Sequence, residues 1–464
     1  MTETRGQWSG RLGFILAATG SAIGLGNLWK FPYITYENEG GAFVLVYIAA
    51  IALVGVPIMM AEILMGRRTQ LSPVGAFKKL ATDRPGGSAW QGVGWLGVLA
   101  GFTILSYYSV VAGWTIHYTW LALTGKLATL AADPVALGQY FGNEFLASGP
   151  QQSLYHILFM ALTTGGVYFG IKGGIERVAK ILMPLLFTIL LVLVIYSTTT
   201  SGFGEAIRFL FKPDFSTLTK GAVLEALGHA FFTLSLGMGA MLTYGSYIGK
   251  EISIPRAALQ ISILDTLIAL MACVIMFSII NTSHIEVNKS ATILFTTIPT
   301  VLVKLPGGGL LNALFYILIG FAALTSTISL LEVVSSFAID ELGWSRHRAT
   351  VTMGSVITVF GVLNALSLGG NSTLSSINLI GRESTQGVFG TMDYLASNWF
   401  LPVGGFLIAL FCGWLLNSAT TRQELEDGHG PLAGYGLWRF LIRFVAPLAV
   451  GAIIVSVILG KEYQ

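Results

Sequence analysis

The feature that most constrains this chain is a succession of long apolar runs separated by short polar segments. The runs fall at residues 11–36, 41–65, 88–124, 153–171, 178–199, 220–247, 256–281, 309–339, 348–367, 391–416 and 437–459. A helix needs about 20 mostly apolar residues to cross a bilayer, so the pattern predicts eleven membrane spans. A shorter run at 290–304, which contains Pro299, predicts a re-entrant or interfacial helix.

The composition agrees with a chain that lies mostly within lipid. Only 11% of the 464 residues are charged, whereas a soluble protein carries roughly 25%. This excludes a soluble enzyme and a disordered protein, because neither could be built with so little polar surface. Eleven spans also leave no room for a large soluble domain. The predicted fold class is therefore an all-α polytopic membrane protein, with residues 1–464 forming a single membrane domain.

The distribution of basic residues predicts the orientation of the spans. Most of the 26 Lys and Arg residues fall in loops on the side that carries the N-terminus. Because basic residues concentrate in cytoplasmic loops, we expect the N-terminus in the cytoplasm of a cell whose inner (plasma) membrane holds the protein. An odd number of spans then places the C-terminus, residues 461–464, outside. The net charge of +3, without a basic tract, gives no indication of a nucleic-acid partner.

No set of residues indicates enzyme chemistry. Cys273 and Cys412 lie far apart in apolar runs and predict neither a disulfide nor a metal framework. The histidines are scattered and mostly near loops: His117, His156, His229, His284, His347 and His429. A membrane-embedded enzyme would need a convergent nucleophile, base or metal set, and the pattern predicts none.

Two spans carry glycine and polar residues where a membrane helix is normally most apolar. The first span contains Gly20-Ser21-Ala22-Ile23-Gly24-Leu25-Gly26-Asn27, and the sixth contains Thr233-Leu234-Ser235-Leu236-Gly237-Met238-Gly239. Gly20 and Gly24 alone fit a small-residue packing motif equally well. Asn27, and the position of the two runs in the first and sixth spans, favour broken helices. The chain would then consist of two five-helix halves, at 1–200 and 220–416, with an additional helix at 437–459.

Such breaks predict a binding site for a zwitterion and small cations. Lipid cannot satisfy the exposed N–H and C=O groups, which attract an anion at one half-helix end and a cation at the other. An α-amino acid with sodium fits this chemistry, since sodium prefers hard oxygen ligands. Three acids lie within predicted spans. Asp265 is interpreted as a cation ligand and Glu62 as a structural acceptor, while the role of Glu332 stays open.

These residues resemble the neurotransmitter/sodium symporter family. The matching segments are Arg5, Trp8, Arg11-Leu12-Gly13, Ala22-Ile23-Gly24-Leu25-Gly26-Asn27, Phe31-Pro32, and residues 37–43, 231–237, 323–326 and 340–342. The resemblance extends from the N-terminus through the tenth span. It implies a transporter with two inverted five-helix repeats, in the bacterial eleven-helix branch that carries amino acids.

The family pattern implies roles for particular residues and two sodium sites. One sodium is expected at Ala22, Asn27, Thr233 and Asp265, and a second at Gly20, Ile23, Ala322, Thr325 and Ser326. The substrate is expected to contact Ser21, Ala22, Gly24, Leu25, Gly26, Ile104, Tyr108, Phe232, Thr233, Ser235, Met238, Thr327 and Leu330. Lys30 and Asp393 are expected to form an outer gate pair. Arg5 and Asp340 are expected to form an inner pair, beside Trp8 and Tyr247.

Departures from the family pattern refine the expected function. Asp265 stands where Asn is common, and Ala269 replaces the Ser of chloride-dependent members, so Asp265 is expected to supply the charge that chloride supplies there. The expected pocket is apolar apart from hydroxyl groups, which favours neutral aliphatic and aromatic L-amino acids. The predicted function is sodium-coupled, chloride-independent import of such amino acids by alternating access. A proton-coupled or uncoupled carrier on the same fold, or a channel or sensor derived from it, stays open. Lipid is an expected partner, and the pattern implies no obligate protein partner.

Overall fold

The computed structural model describes residues 6–283 and 293–461, and helices dominate these segments. Helices occupy all eleven predicted positions. The spans are Arg11–Ala22 with Gly26–Glu37, Gly41–Thr69, Gly87–Leu123, Gly149–Tyr168, Ile171–Ser197, Lys220–Thr233 with Ala240–Gly245, Ile254–Ser283, Gly308–Leu342, Arg346–Gly370, Gly387–Leu415 and Tyr435–Ile458. Shorter helices lie between them at Pro73–Leu80, Lys126–Ala131, Pro134–Gln139, Phe203–Phe211, Ile293–Leu302 and Ser418–Glu426.

Length and apolarity are not equal among these spans. Within the described segments, eight helices are long and apolar enough to cross a bilayer, and the bent first pair makes a ninth. The fourth span, Gly149–Tyr168, is more polar, and the sixth is divided into two short pieces. The short apolar helix Ile293–Leu302 lies within the run predicted as re-entrant or interfacial, whose first residues, 290–292, fall outside the described segments.

The third and eighth spans pack against each other and, with the fourth and ninth, form one body of helices. The first span packs against the fifth, seventh and eighth. Cys273 and Cys412 are buried free thiols within this packing. The two broken spans are thus held beside a group of long unbroken helices.

Glycine allows the second half of the sixth span to approach the second span closely. A Cβ atom on Gly66 would lie 2.0 Å from the carbonyl oxygen of Leu242, and one on Gly245 would lie 2.7 Å from that of Ile63. Larger side chains at these positions would push the two backbones apart. Small residues allow such close approach between membrane helices. The second span is therefore placed where its side chains can reach the sixth-span break.

Both predicted breaks are present. The first span leaves the helix at Ile23, whose ψ is 113°, and its two halves are bent by 55°. The sixth span is interrupted between Thr233 and Ala240, where Ser235, Gly237 and Gly239 have φ values of 54°, 80° and 75°. These left-handed conformations favour glycine. A Cβ on Gly237 would also lie 2.4 Å from the carbonyl oxygen of Leu401, so this position has no space for a side chain.

Candidate functional site

Side chains from neighbouring spans satisfy backbone groups that the two breaks release. Glu62 of the second span accepts a hydrogen bond of 2.8 Å from the Gly237 N–H. In the first break, the Leu25 N–H donates to the Tyr108 hydroxyl at 2.9 Å, and the Gly24 N–H donates to the Asn27 side-chain oxygen at 3.0 Å. Because lipid offers no partners for these groups, such contacts allow an unwound backbone within the membrane.

A first cluster of oxygen atoms joins the first, sixth and seventh spans. The Asn27 amide donates to Asp265 at 2.8 Å and to Thr233 at 2.9 Å. The Thr233 hydroxyl in turn donates to Asp265 at 3.0 Å. Asp265 is fully buried, and no Lys or Arg nitrogen of the described segments lies within 4.0 Å of its carboxylate. Because an isolated buried carboxylate is costly, this cluster is suited to a small cation with hard-oxygen preference.

A second cluster lies between the first break and the eighth span. The Ser326 hydroxyl lies 3.0 Å from the carbonyl oxygen of Ile23, 3.5 Å from that of Gly20 and 3.2 Å from that of Ala322. The Thr325 hydroxyl donates to Ala322 at 3.0 Å. These hydroxyls and carbonyls converge because the break turns the first span's carbonyl oxygens towards the eighth span. The set is neutral and consists of oxygen atoms only.

A cavity of about 30 Å³ lies between the two breaks, beside both oxygen clusters. Its lining contains no charged side chain: Ser21, Ala22, Gly24, Gly26, Asn27, Ile104, Tyr108, Phe232, Thr233, Ser235, Met238, Ser326, Ser329 and Leu330. Nearly all of the residues expected at a substrate site therefore meet in one place. Leu25 contributes its backbone beside the cavity through the contact with Tyr108.

Thr327 is placed differently from the sequence expectation. It does not line the cavity but bonds to Thr163 of the fourth span at 2.8 Å. Successive residues of an α-helix are about 100° apart around its axis, so Ser326 and Ser329 lie on one face and Thr327 lies on another. Ser329, which was not among the predicted site residues, lies in the lining and receives a hydrogen bond of 2.7 Å from Ser21. Its spacing of three residues from Ser326 was the signal that could have identified it.

Close approach explains two glycines of the first break. A Cβ on Gly24 would lie 2.8 Å from the Tyr108 hydroxyl and 2.9 Å from that of Ser326. A Cβ on Gly26 would lie 3.0 Å from the Phe232 ring. Side chains at either position would fill the cavity or displace the residues around it. The glycines thus keep bare backbone exposed to the cavity.

Lys30 and Phe232 lie together above the cavity. The Lys30 ammonium is 5.3 Å from the centre of the Phe232 ring, within the range of a cation–π contact. In the described segments Lys30 and Asp393 do not form an ion pair in this conformation, and Asp393 instead accepts a hydrogen bond from Ser397 at 3.1 Å. The outer gate pair therefore stays a prediction.

At the opposite end, the N-terminal segment packs against the second half of the sixth span. The Trp8 indole donates to the Tyr244 carbonyl at 3.1 Å, and the Trp8 N–H donates to the Tyr247 carbonyl at 3.2 Å. Asp340 accepts a hydrogen bond of 2.5 Å from the Ser72 N–H. Arg5, the expected partner of Asp340, lies outside the described segments. Trp8, Tyr244 and Tyr247 are all buried, so this side of the molecule, the closed inner side, is tightly packed in this conformation.

The structure gives Glu332 a partner that the sequence did not reveal. Its fully buried carboxylate accepts two hydrogen bonds from the Arg346 guanidinium, at 2.8 and 3.0 Å, and one of 2.5 Å from the Tyr247 hydroxyl. Tyr247 also receives the Trp8 N–H, so this group connects the eighth and ninth spans to the closed inner side. The sequence signal that could have identified this partner was Arg346, a basic residue just before the predicted ninth span.

Comparison with known proteins agrees with this architecture. The sequence profile of the "Sodium:neurotransmitter symporter family" matches residues 5–134 and 145–463. The chain belongs to this family. It is 37% identical to YhdH, an uncharacterized sodium-dependent transporter of Bacillus subtilis, over 97% of both chains. An uncharacterized sodium-dependent transporter of Haemophilus influenzae is 31% identical over 98% of both chains.

A solved relative shows the same fold. MhsT, crystallised in complex with L-phenylalanine, superposes with a TM-score of 0.87 and is 42% identical, covering 98% of this chain and 100% of MhsT. The chain is therefore an all-α polytopic membrane protein of the sodium-dependent transporter type, with five-plus-five repeats and broken first and sixth spans.

Proposed function

We propose that the protein is a sodium-coupled symporter that imports neutral, hydrophobic L-amino acids without a chloride requirement. The observation that carries this proposal is the uncharged cavity between two helix breaks, flanked by two oxygen clusters. Half-helix N-termini suit a carboxylate, while exposed carbonyl oxygens suit an ammonium group and sodium ions. An α-amino acid with sodium matches both.

Two sodium ions travel with the substrate in this proposal. The first site uses Ala22, Asn27, Thr233 and Asp265, and the second uses Gly20, Ile23, Ala322, Thr325 and Ser326. Support for the first site comes from the unpaired carboxylate of Asp265, and support for the second from the convergence of carbonyl oxygens on Ser326. Asp265 supplies the negative charge that offsets sodium in the membrane. Ala269 carries no group that could hold chloride.

The substrate side chain occupies the apolar part of the cavity. No charged residue lines that part, so an acidic or basic side chain would be left without a partner. MhsT, a relative with the same fold, was solved with L-phenylalanine. The present cavity of about 30 Å³ must enlarge to admit a large side chain, and Met238 is a flexible residue flanked by two glycines. Tyr108 and the backbone at Leu25 and Gly26 hold the substrate carboxylate.

Alternating access converts this binding into transport. Sodium and substrate enter from outside, Phe232 and the Lys30–Asp393 pair close above them, and the contacts of Trp8, Asp340 and Tyr247 then open towards the cytoplasm. The first and sixth spans move against the body formed by the third, fourth, eighth and ninth. Each sodium charge that crosses a potential of 100 mV contributes about 2.3 kcal/mol to accumulation. In this proposal the protein lies in the plasma membrane with a cytoplasmic N-terminus.

The decisive experiment uses purified protein reconstituted in vesicles. Uptake of labelled L-leucine and L-phenylalanine should require an inward sodium gradient and stay unchanged when gluconate replaces chloride. Preference for glycine, proline or acidic amino acids would contradict the substrate proposal, and dependence on chloride would contradict the role of Asp265.

A proton-coupled carrier is the second candidate, because the buried Asp265 carboxylate has no cationic partner in the described segments. A proton could neutralise the carboxylate in place of sodium. Substrate binding at constant pH distinguishes the two: sodium coupling requires sodium for binding, whereas proton coupling gives equal binding in sodium and choline.

A further inference from the structure

A large basic pocket lies on the side that carries the N-terminus, away from the substrate cavity. Its volume is about 770 Å³. The end of the second span, the loop after helix Pro73–Leu80, the end of the sixth span and the helix Ser418–Glu426 form its walls. The lining residues are Gln7, Arg67, Arg68, Thr69, Gln70, Lys79, Leu80, Asp83, Arg84, Ile248, Gly249, Lys250, Leu416, Thr420 and Glu424.

The cationic side chains of this pocket outnumber the acids that neutralise them. Arg67 and Arg68 share the single carboxylate of Glu424, at 2.6 and 3.3 Å. Lys250 pairs with Asp427 at 2.6 Å. The five lining cations face two lining carboxylates, those of Asp83 and Glu424. Asp427 pairs with Lys250 and Glu251 lies beside Gly249, both from outside the lining, so at least one positive charge is in excess.

Two of these cations have no carboxylate partner within the described segments. The Lys79 ammonium donates only to the Thr69 carbonyl, at 3.3 Å, and Arg84 makes no ion pair within 4.0 Å. Lys79 lies at the end of helix Pro73–Leu80, and Arg84 lies in the loop that follows it. Lys79, Arg84 and the neighbouring Asp83 together carry one net positive charge, which is available to an anion.

We propose that this pocket binds a phosphate group, carried by an anionic phospholipid headgroup or free in solution. Arginine matches the oxygen atoms of phosphate with its planar fork, and lysine adds a point charge. Basic pockets between the ends of membrane helices bind phosphate headgroups. Leu80, Ile248 and Leu416 add apolar side chains to the lining, which suit the glycerol and first methylene groups of a lipid.

Occupancy of the pocket stabilises the closed inner side. Gln7 precedes Trp8, and Ile248 follows Tyr247, so the pocket is complete only while Trp8 donates to the Tyr247 carbonyl. A ligand that binds the complete pocket shifts the equilibrium towards the conformation that contains it. Phosphate binding thus slows inner opening without touching the substrate cavity.

The test measures binding of short-chain phosphatidylglycerol and of inorganic phosphate, separately, to the full-length protein in neutral detergent. Thermal unfolding midpoints give the affinities, and hydrogen–deuterium exchange follows residues 6–22. The variant K79Q/R84Q removes the unpaired cations. The matched control K172Q/R177Q removes two exposed cations at the N-terminal end of the fifth span. Thermal unfolding without ligand verifies that both double variants fold. A further variant, R84K, retains the positive charge at position 84.

The proposal predicts saturable binding to wild-type protein, with slower exchange at residues 6–22 when the probe is bound. K79Q/R84Q should lose about tenfold or more in affinity, while K172Q/R177Q should stay within about threefold of wild type. R84K should lose less than K79Q/R84Q, because it keeps the charge but not the planar fork. Binding of phosphatidylglycerol alone assigns the phosphate to lipid, and binding of both probes assigns it to phosphate in general. Absence of saturable binding to wild type, or equal losses in the two double variants, would overturn the proposal.

Discussion

Replacement of Asp265 by Asn tests the first sodium site most sharply. One carboxylate oxygen, Oδ1, accepts hydrogen bonds from Asn27 at 2.8 Å and Thr233 at 3.0 Å, and the side-chain oxygen of asparagine can retain both. The substitution keeps the shape and removes the charge. Two unit charges about 4 Å apart interact by about 4 kcal/mol at an effective dielectric constant of about 20. Allowing for relaxation, we expect the sodium concentration for half-maximal binding to rise about 10- to 1000-fold.

The assay is equilibrium binding of labelled L-leucine to purified protein at increasing sodium concentration, with choline replacing sodium. Glu62→Gln is the matched control, because Glu62 is an equally buried acid that contacts the sixth-span break rather than the oxygen cluster. It should lower thermal stability and leave the sodium dependence within about twofold of wild type. A D265N variant with unchanged sodium dependence, or an E62Q variant shifted as far as D265N, would refute the reasoning.

Three further outcomes follow from the structure. Gly24→Ala should weaken substrate binding about 100-fold or more, because its Cβ would lie 2.8 Å from the Tyr108 hydroxyl. Gly92→Ala is the control, since a Cβ there would meet open space. Equal substrate binding by the two variants would contradict the role of this close approach. Arg346→Gln should lower the free energy of unfolding by about 3 kcal/mol, because it leaves the buried Glu332 carboxylate without a cation. Calorimetry measures this change, and the control Arg348→Gln should change the free energy of unfolding little. Wild-type uptake in vesicles should be equal in chloride and gluconate, and a several-fold loss in gluconate would exclude the proposed charge compensation.

The helix breaks were predictable because their cause is local. Glycine, hydroxyl and amide residues interrupt two apolar runs, and the structure confirms both interruptions, at Ile23 and between Thr233 and Ala240. The assembly of Asn27, Thr233 and Asp265 was different, since Asn27 is more than 200 positions from the other two along the chain. Only the family resemblance brought them together at the level of sequence.

The features that were not predicted depend on helix rotation and on the choice of partner. The resemblance placed Thr327 in the cavity, whereas the rotation of the eighth span turns it towards Thr163 and exposes Ser329 instead. Glu332 was recognisable as a buried acid, but hydropathy does not indicate which cation packs against it. Arg346 precedes the predicted ninth span at 348–367, and the packing of the ninth span on the eighth brings its guanidinium to that carboxylate.

Accumulation of substrate tests the central claim most directly. Labelled L-phenylalanine is supplied to vesicles that contain the purified protein, with an inward sodium gradient, an equal sodium concentration on both sides, or no sodium. The account predicts internal substrate above the external concentration only with the gradient, and collapse of this excess when a sodium ionophore is added. Equal accumulation in the presence and absence of sodium would contradict the claim that sodium and amino acid bind together between the two broken spans.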